Sequence, residues 1–309
     1  MATLPDQTRP KIPTLPPGLP GLNPIGPVQF RWTRNQPDSA TSPAFLWWVD
    51  FLETRERPVP FGELGVSWFN TDAFSGVEHF DWSARISNTD RRAAVWGVTR
   101  EVAIRDAMSV VLPAALRRDG IFDGHGTVIA PDPSRPDAGV FVTGLSGAGK
   151  STLTASCAVA GSRILSDDSV AIGRHADRLT AWSRRPGMGL SAEMHRRLLP
   201  DVPVRAVEDK LFFNARRVFG DQKAESLEVK ALVFLERGQA RTEVGPLSAS
   251  DAFGRLLMGH PALAIDALGK RCFDVVRDLS RLPVHRMSGG KDLIEPKTAA
   301  ATLARILPD

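Results

Sequence analysis

The stretch Gly144-Leu145-Ser146-Gly147-Ala148-Gly149-Lys150-Ser151-Thr152 matches the spacing G-x-x-x-x-G-K-[ST] at every fixed position. Those residue types in that order suit polyphosphate chemistry. Glycines let successive backbone N–H groups turn inward, a helix N-terminus adds partial positive charge, and Lys150 adds a full one. The hydroxyl of Ser151 is placed to reach a Mg²⁺ ion accompanying the phosphates. The spacing predicts a nucleoside triphosphate site made of these nine residues. Asp167 and Asp168 are the next residues able to do chemistry. They lie in Arg163-Ile-Leu-Ser-Asp-Asp-Ser-Val-Ala-Ile172, 17 positions beyond Lys150 (167 − 150). One carboxylate at a triphosphate site can hold the metal, and the other can take a proton from an attacking hydroxyl. A lone histidine, His125, stands between Gly124 and Gly126 upstream.

The elements around these residues must bring them together. Gly139 to Thr143 reads as a short buried strand and Ser151 to Ala160 as a helix, so the glycine turn joins strand to helix. Adjacent strand residues face opposite ways, so a strand ending at Ser166 with the Asp pair in the turn beyond it is predicted. In an open α/β sheet that strand adjoins the one feeding the phosphate loop, at its carboxyl end. Gly124 to Ala130 reads as a further strand. The polar turn Pro131 to Ala138 would make it a hairpin with the loop strand, returning His125 toward the nucleotide.

The series His125-Gly126, Gly-x-Ser-Gly-x-Gly-Lys-Ser and Leu165-x-Asp167-Asp168 resembles the C-terminal catalytic domain of HPr kinase/phosphorylase. It is similar to a wider set of HPr-kinase-like proteins, some of which phosphorylate a serine of a ribosomal peptide precursor. The resemblance covers about residues 120 to 300 and is specific from 124 to 172. It implies an α/β fold of the phosphoenolpyruvate-carboxykinase type, a mixed sheet flanked by helices, and an ATP- and Mg²⁺-dependent kinase acting on a hydroxyl. By the same resemblance Lys150 and the loop amides hold the phosphates, Ser151 and Asp168 hold the metal, and Asp167 is the general base with His125 beside it. The family's downstream signature Leu-Glu-Val-Arg-Gly-Leu-Gly has Leu227-Glu-Val-Lys230-Ala231-Leu as its nearest counterpart here. Lysine does not replace a bidentate arginine, so the kinase direction is implied without the phosphorylase reaction, and with an acceptor other than HPr. Two alternatives remain at this stage: a nucleotide-dependent regulator without phosphotransfer, and a small-molecule kinase such as adenylylsulfate kinase, which shares the loop.

The remainder of the chain is read more coarsely. Of 309 residues, 42% are apolar, enough for a proper core, and 39 Lys+Arg against 35 Asp+Glu give +4 without a dominant block. That pattern argues against a nucleic-acid partner. Two cysteines, Cys157 and Cys272, suggest a reducing compartment, and no apolar run reaches membrane length, so the reading is cytoplasmic. The acceptor is read as a peptide or small protein and the chain as a candidate homo-oligomer. Residues 1–27, with eight prolines, are read as a disordered arm. Residues 28–119 are read as an accessory, substrate-recognition portion holding six of the seven tryptophans, and 120–309 as the catalytic domain. Within the accessory portion Phe45 to Leu52 is an apolar helix or strand, and Arg100 to Leu112 is helical. Lys210 is a candidate second cation near the phosphates, and Arg184 and Arg185 are candidates for contacts to an acidic acceptor.

Overall fold

The computed structural model describes side chains for residues 116–117, 120–165, 168–183, 187–207, 209–238, 241–259 and 272–308. Residues 23–32, 45–53, 66–70, 74–79, 82–87, 92–97 and 269–271 are described as backbone only. The N-terminal strands are β1 (Asn23–Trp32), β2 (Phe45–Glu53), β3 (Val66–Asn70), β4 (Phe74–His79), β5 (Trp82–Ser87) and β6 (Arg92–Gly97). They form a six-stranded sheet in the order β1-β2-β6-β5-β4-β3. The apolar element from Phe45 is thus a strand, as its tryptophans, valine and phenylalanines favour. Pairing of β1 starts at Asn23, inside the segment read as a disordered arm, with a register irregularity between Pro24 and Gly26. The helix expected over Arg100 to Leu112 lies outside the described residues.

The second sheet positions the site. Its strands are β7 (Phe122–Ala130), β8 (Ala138–Thr143), β9 (Arg163–Ile164), β10 (Ser169–His175), β11 (Arg178–Ser183), β15 (Ser226–Arg237), β16 (Glu243–Pro246) and β17 (Val284–Gly289). Between β11 and β15 the chain makes a separate three-stranded sheet from β12 (Gly187–Leu190), β13 (Arg205–Val207) and β14 (Lys210–Asn214). The main order is β11-β10-β7-β8-β15-β17-β16, with β9 on β7 and a further pairing of β11 with β15. That last pairing closes five strands into a ring. The sheet is mixed: β8, β15 and β17 run parallel, whereas β7 is antiparallel to both β8 and β10.

Two cores cover the two faces of this sheet, and strand periodicity divides the residues between them. Val140, Val142, Ala231, Val233 and Leu235 face one core, and Phe141, Leu232 and Phe234 face the other. The first core is shared with helix α1 (Lys150–Val159), through Leu153, Ala155 and Cys157, and with α6 (Pro296–Ala304), through Ala299 and Leu303. The second is closed by α4 (Ala249–Met258) and α5 (Gly269–Arg281), through Ala252, Leu256, Cys272, Val275 and Val276. Two shorter helices are α2 (Ala192–Leu198), capped by Ser191, and α3 (Ala215–Phe219), capped by Asn214. Strands covered on both faces need unbroken apolar runs, which Gly139 to Val142 and Ala231 to Leu235 supply. Ser248 caps α4 by accepting the Asp251 N–H. No helix among the described residues is long and apolar enough to cross a membrane.

Candidate active site

Strand β8 ends at Thr143, and the chain turns through Gly144 to Gly149 into α1. Glycine is required in this turn for two different reasons. Gly149 is the N-cap of α1 in the left-handed region at φ 101°, with open space around it. Gly144 lies against β15: a Cβ there would stand 2.2 Å from the carbonyl oxygen of Leu235. The tight turn therefore depends on its parallel neighbour as well as on its own backbone. Leu145, Ser146, Gly147 and Gly149 are exposed, and Ala148 is half-buried. No side chain caps α1, and no acidic residue occupies its first turn. Its first N–H groups thus remain available to an anion.

Lys150 is buried at the start of α1, and its ammonium donates to the carbonyls of Gly144 at 2.7 Å and Leu145 at 3.1 Å. Burial pushes its pKa down, Asp168 pushes it up, and Lys210 pushes it down again. All three charges therefore lie within electrostatic reach. Ser151 and Thr152 are half-buried in the first turn of α1.

The hairpin of β7 and β8 is present, with Gly126 opposite Thr143 and the Thr143 hydroxyl donating to the His125 carbonyl at 2.8 Å. On the other side of β7, His125 faces Ser169 of β10, and the Gly126 N–H donates to the Asp168 carbonyl at 2.9 Å. Asp168 is thereby fixed by backbone beside His125. Its carboxylate stands 3.4 Å from His125 Nδ1, both side chains being about half exposed. Burial lowers the His125 pKa, the Lys150 charge lowers it further, and Asp168 and Asp123 oppose the shift. His125, Lys150 and Asp168 thus form one electrostatic group at the carboxyl end of β8.

Asp168 arrives by a different route from the one expected for the Asp pair. The return strand does not adjoin β8. β9 is two residues long and pairs antiparallel with β7, because β7 and β15 already occupy both flanks of β8. β9 ends at Ile164 and the next strand, β10, begins at Ser169, so Asp168 stands immediately before β10. Ser166 and Asp167 lie outside the described residues, as do Arg184 and Arg185. Lys210 is exposed at the start of β14.

Two positioning residues went unnoticed in the sequence. Thr143 ties β8 to the His125 backbone. Lys223 is buried, and its ammonium donates to the Leu165 carbonyl, to Ser183 Oγ at 2.6 Å and to the Ala224 carbonyl at 3.3 Å. It pins the chain just beyond β9, at Leu165. Nothing local in Gln222-Lys223-Ala224 signals a buried cation.

Mg²⁺ as a rule takes one or two protein oxygens and completes its shell with phosphate and water. The Ser151 hydroxyl and Asp168 carboxylate are oxygens of the right kind, and the uncapped α1 terminus with its glycine turn suits the phosphates. Among the described residues no three His, Cys, Asp or Glu cluster as a metal cage.

No family model matches the chain, and no curated protein matches it. Among solved structures, the HPr(Ser) kinase/phosphatase from Coxiella burnetii is similar over 60% of this chain and 90% of that one, at 12% sequence identity and a TM-score of 0.34. At that level of likeness the functional reading rests on the residues of this chain.

Proposed function

We propose that this chain is a Mg²⁺- and ATP-dependent phosphotransferase that moves the γ-phosphoryl group to a hydroxyl, on a serine or threonine of a peptide or small protein. The observation that carries the reading is the grouping of Lys150, at an uncapped helix start behind a glycine turn, with the His125–Asp168 pair. The loop amides and the α1 terminus bind the phosphates, and Lys150 exchanges its two carbonyl acceptors for phosphate oxygens. Ser151 and Asp168 would hold Mg²⁺, whose chemistry would be to offset phosphate charge. Asp167 takes the proton of the acceptor hydroxyl as that oxygen bonds to the γ-phosphorus, and the bond to the bridging oxygen breaks to release ADP. His125, kept neutral by burial and Lys150, accepts or donates a hydrogen bond beside the reacting groups without adding charge. Catalysis of this kind is mostly positioning and charge stabilisation.

The test is incubation with Mg²⁺ and γ-labelled ATP, offering candidate peptides and a small-protein fraction to wild type and Asp167→Asn. Wild type transfers label, and Asp167→Asn loses about 10²- to 10⁴-fold in rate with nucleotide affinity kept. Tight ATP binding by wild type with no transfer to any acceptor would replace this reading with a nucleotide-gated regulator.

A further inference from the structure

The three-stranded sheet β12-β14-β13 is joined to the phosphate-loop helix through its inner face. Met188, Leu190 and Phe213 of this sheet share one core with Leu153 and Ala155 of α1. Its outer face is different. The register pairs Arg205 with Phe212 and Val207 with Lys210, so these four side chains share the face away from Phe213. All are exposed, Val207 at 42% and Phe212 at 38%, and the Phe212 ring lies over Gly189, where a Cβ would stand 2.8 Å from it. Arg205 and Lys210 make no ion pair among the described residues, and Lys210 is within electrostatic reach of Lys150.

β13 is also an edge. It pairs only with β14 among the described strands, and all three of its residues are exposed. Two residues connect Val207 to Lys210, and the pair flanking so short a hairpin connection is the hydrogen-bonded one. Alternation then turns the N–H and C=O of Ala206 outward, away from β14. An edge with an outward donor and acceptor adds an extended segment readily. The face beside this edge carries the exposed side chains of Arg205 and Val207 on β13 and of Lys210 and Phe212 on its neighbour β14.

We propose that the open edge of β13 is the docking site for the acceptor polypeptide, which adds as an extended, acidic strand and so presents its hydroxyl to the phosphate loop. This deepens the kinase reading above and rests on it. Carboxylates at alternate positions of the added strand fall on the face of Arg205 and Val207, with Lys210 one strand further in, and the side chains between them fall on the opposite face, that of Ala206. An oppositely charged edge would repel the same segment, so charge sets the choice of acceptor as well as its approach.

The test uses the full chain and a fluorescein-labelled nine-residue peptide alternating Glu and Val around a central Ser, with a control carrying Lys for each Glu. Binding is read by anisotropy at low salt with a non-hydrolysable ATP analogue, and phosphorylation of the same peptide with γ-labelled ATP. Wild type binds the Glu peptide at least tenfold more tightly than the Lys control. Arg205→Glu and Ala206→Pro each lose at least tenfold in peptide affinity while nucleotide affinity is kept. A melting curve checks that Ala206→Pro folds; Arg205→Glu changes an exposed side chain and carries the test alone if it does not. Equal peptide binding by wild type and Arg205→Glu, no charge preference, or no binding by wild type would each overturn the docking site. Binding that depends on Arg205 with no phosphorylation would support the docking site while overturning the kinase reading.

Discussion

At His125 several charges act on one imidazole. Burial and the Lys150 ammonium hold its pKa below 6.5, while Asp168 and Asp123 pull it upward. Removing either neighbour should therefore shift the titration in a known direction. In a proton-resolved NMR titration, Lys150→Ala should raise the His125 pKa and Asp168→Asn should lower it; no movement in Lys150→Ala would refute the grouping of these side chains. The same shift has a consequence for stability. A histidine whose folded pKa is depressed takes its proton first in the unfolded chain, so the contribution is present above pH 6.5 and is lost as pH falls toward the folded value. The side chain is 49% exposed, so solvent screening keeps this loss small. Melting curves between pH 7.5 and 5.5 should show a slightly steeper fall for wild type than for His125→Asn. The glycine turn and the first residues of α1 were legible in sequence because each is placed by its own backbone or by its position in one helix turn. The pairing of His125 with Asp168 was legible only as a prospect. It depends on β7 receiving β10 in the register that sets His125 opposite Ser169.

At the scale of elements, the break between β9 and β10 decides where Asp168 stands. Two constraints hold it: the Gly126 N–H on the Asp168 carbonyl, and the Lys223 ammonium on the Leu165 carbonyl. Lys223→Met keeps the aliphatic length and removes the donors. That leaves the Leu165 and Ala224 carbonyls and the Ser183 hydroxyl without them, at a cost of about 1–3 kcal/mol for each group left unsatisfied. A domain of this size loses roughly 2–4 °C in Tm per kcal/mol. The variant should melt several degrees lower and lose phosphotransfer rate more than ATP affinity, since it loosens the Asp pair and leaves the loop intact. An unchanged rate constant in a destabilised protein would restrict Lys223 to a structural role. The strand and helix flanking the loop follow from local pattern. The return strand does not: its sequence suits a neighbour of β8, and only the prior claims of β7 and β15 on that strand exclude it.

At the scale of the whole molecule, one sheet separates two cores, each holding a buried cysteine. Cys157 of α1 lies in one core and Cys272 of α5 in the other. Burial pushes the Cys272 thiol up to about 12 and the Cys157 thiol higher still, so neither is a nucleophile in the folded protein. Reaction with a thiol reagent thus reports opening of each face. Because both cores rest on the same strands, Cys157→Ala and Cys272→Ala should leave the remaining thiol reacting at the same slow rate, set by one cooperative opening. Two widely different rates would mean that one layer of helices comes away while the sheet persists.

The sequence by itself determined the glycine turn, the hairpin preceding it, the helix that follows and the buried strand that leads into it. In each the deciding interactions are within a few residues or within one strand's apolar run. The tertiary structure decided what depends on distant partners. Gly144 must be glycine because the Leu235 carbonyl approaches it, Asp168 faces His125 because β10 pairs with β7, and Lys223 is held inside because its donors meet the Leu165 carbonyl and the Ser183 hydroxyl from two distant segments. Contacts across such separations are fixed by strand order and register, which periodicity along one chain segment does not encode.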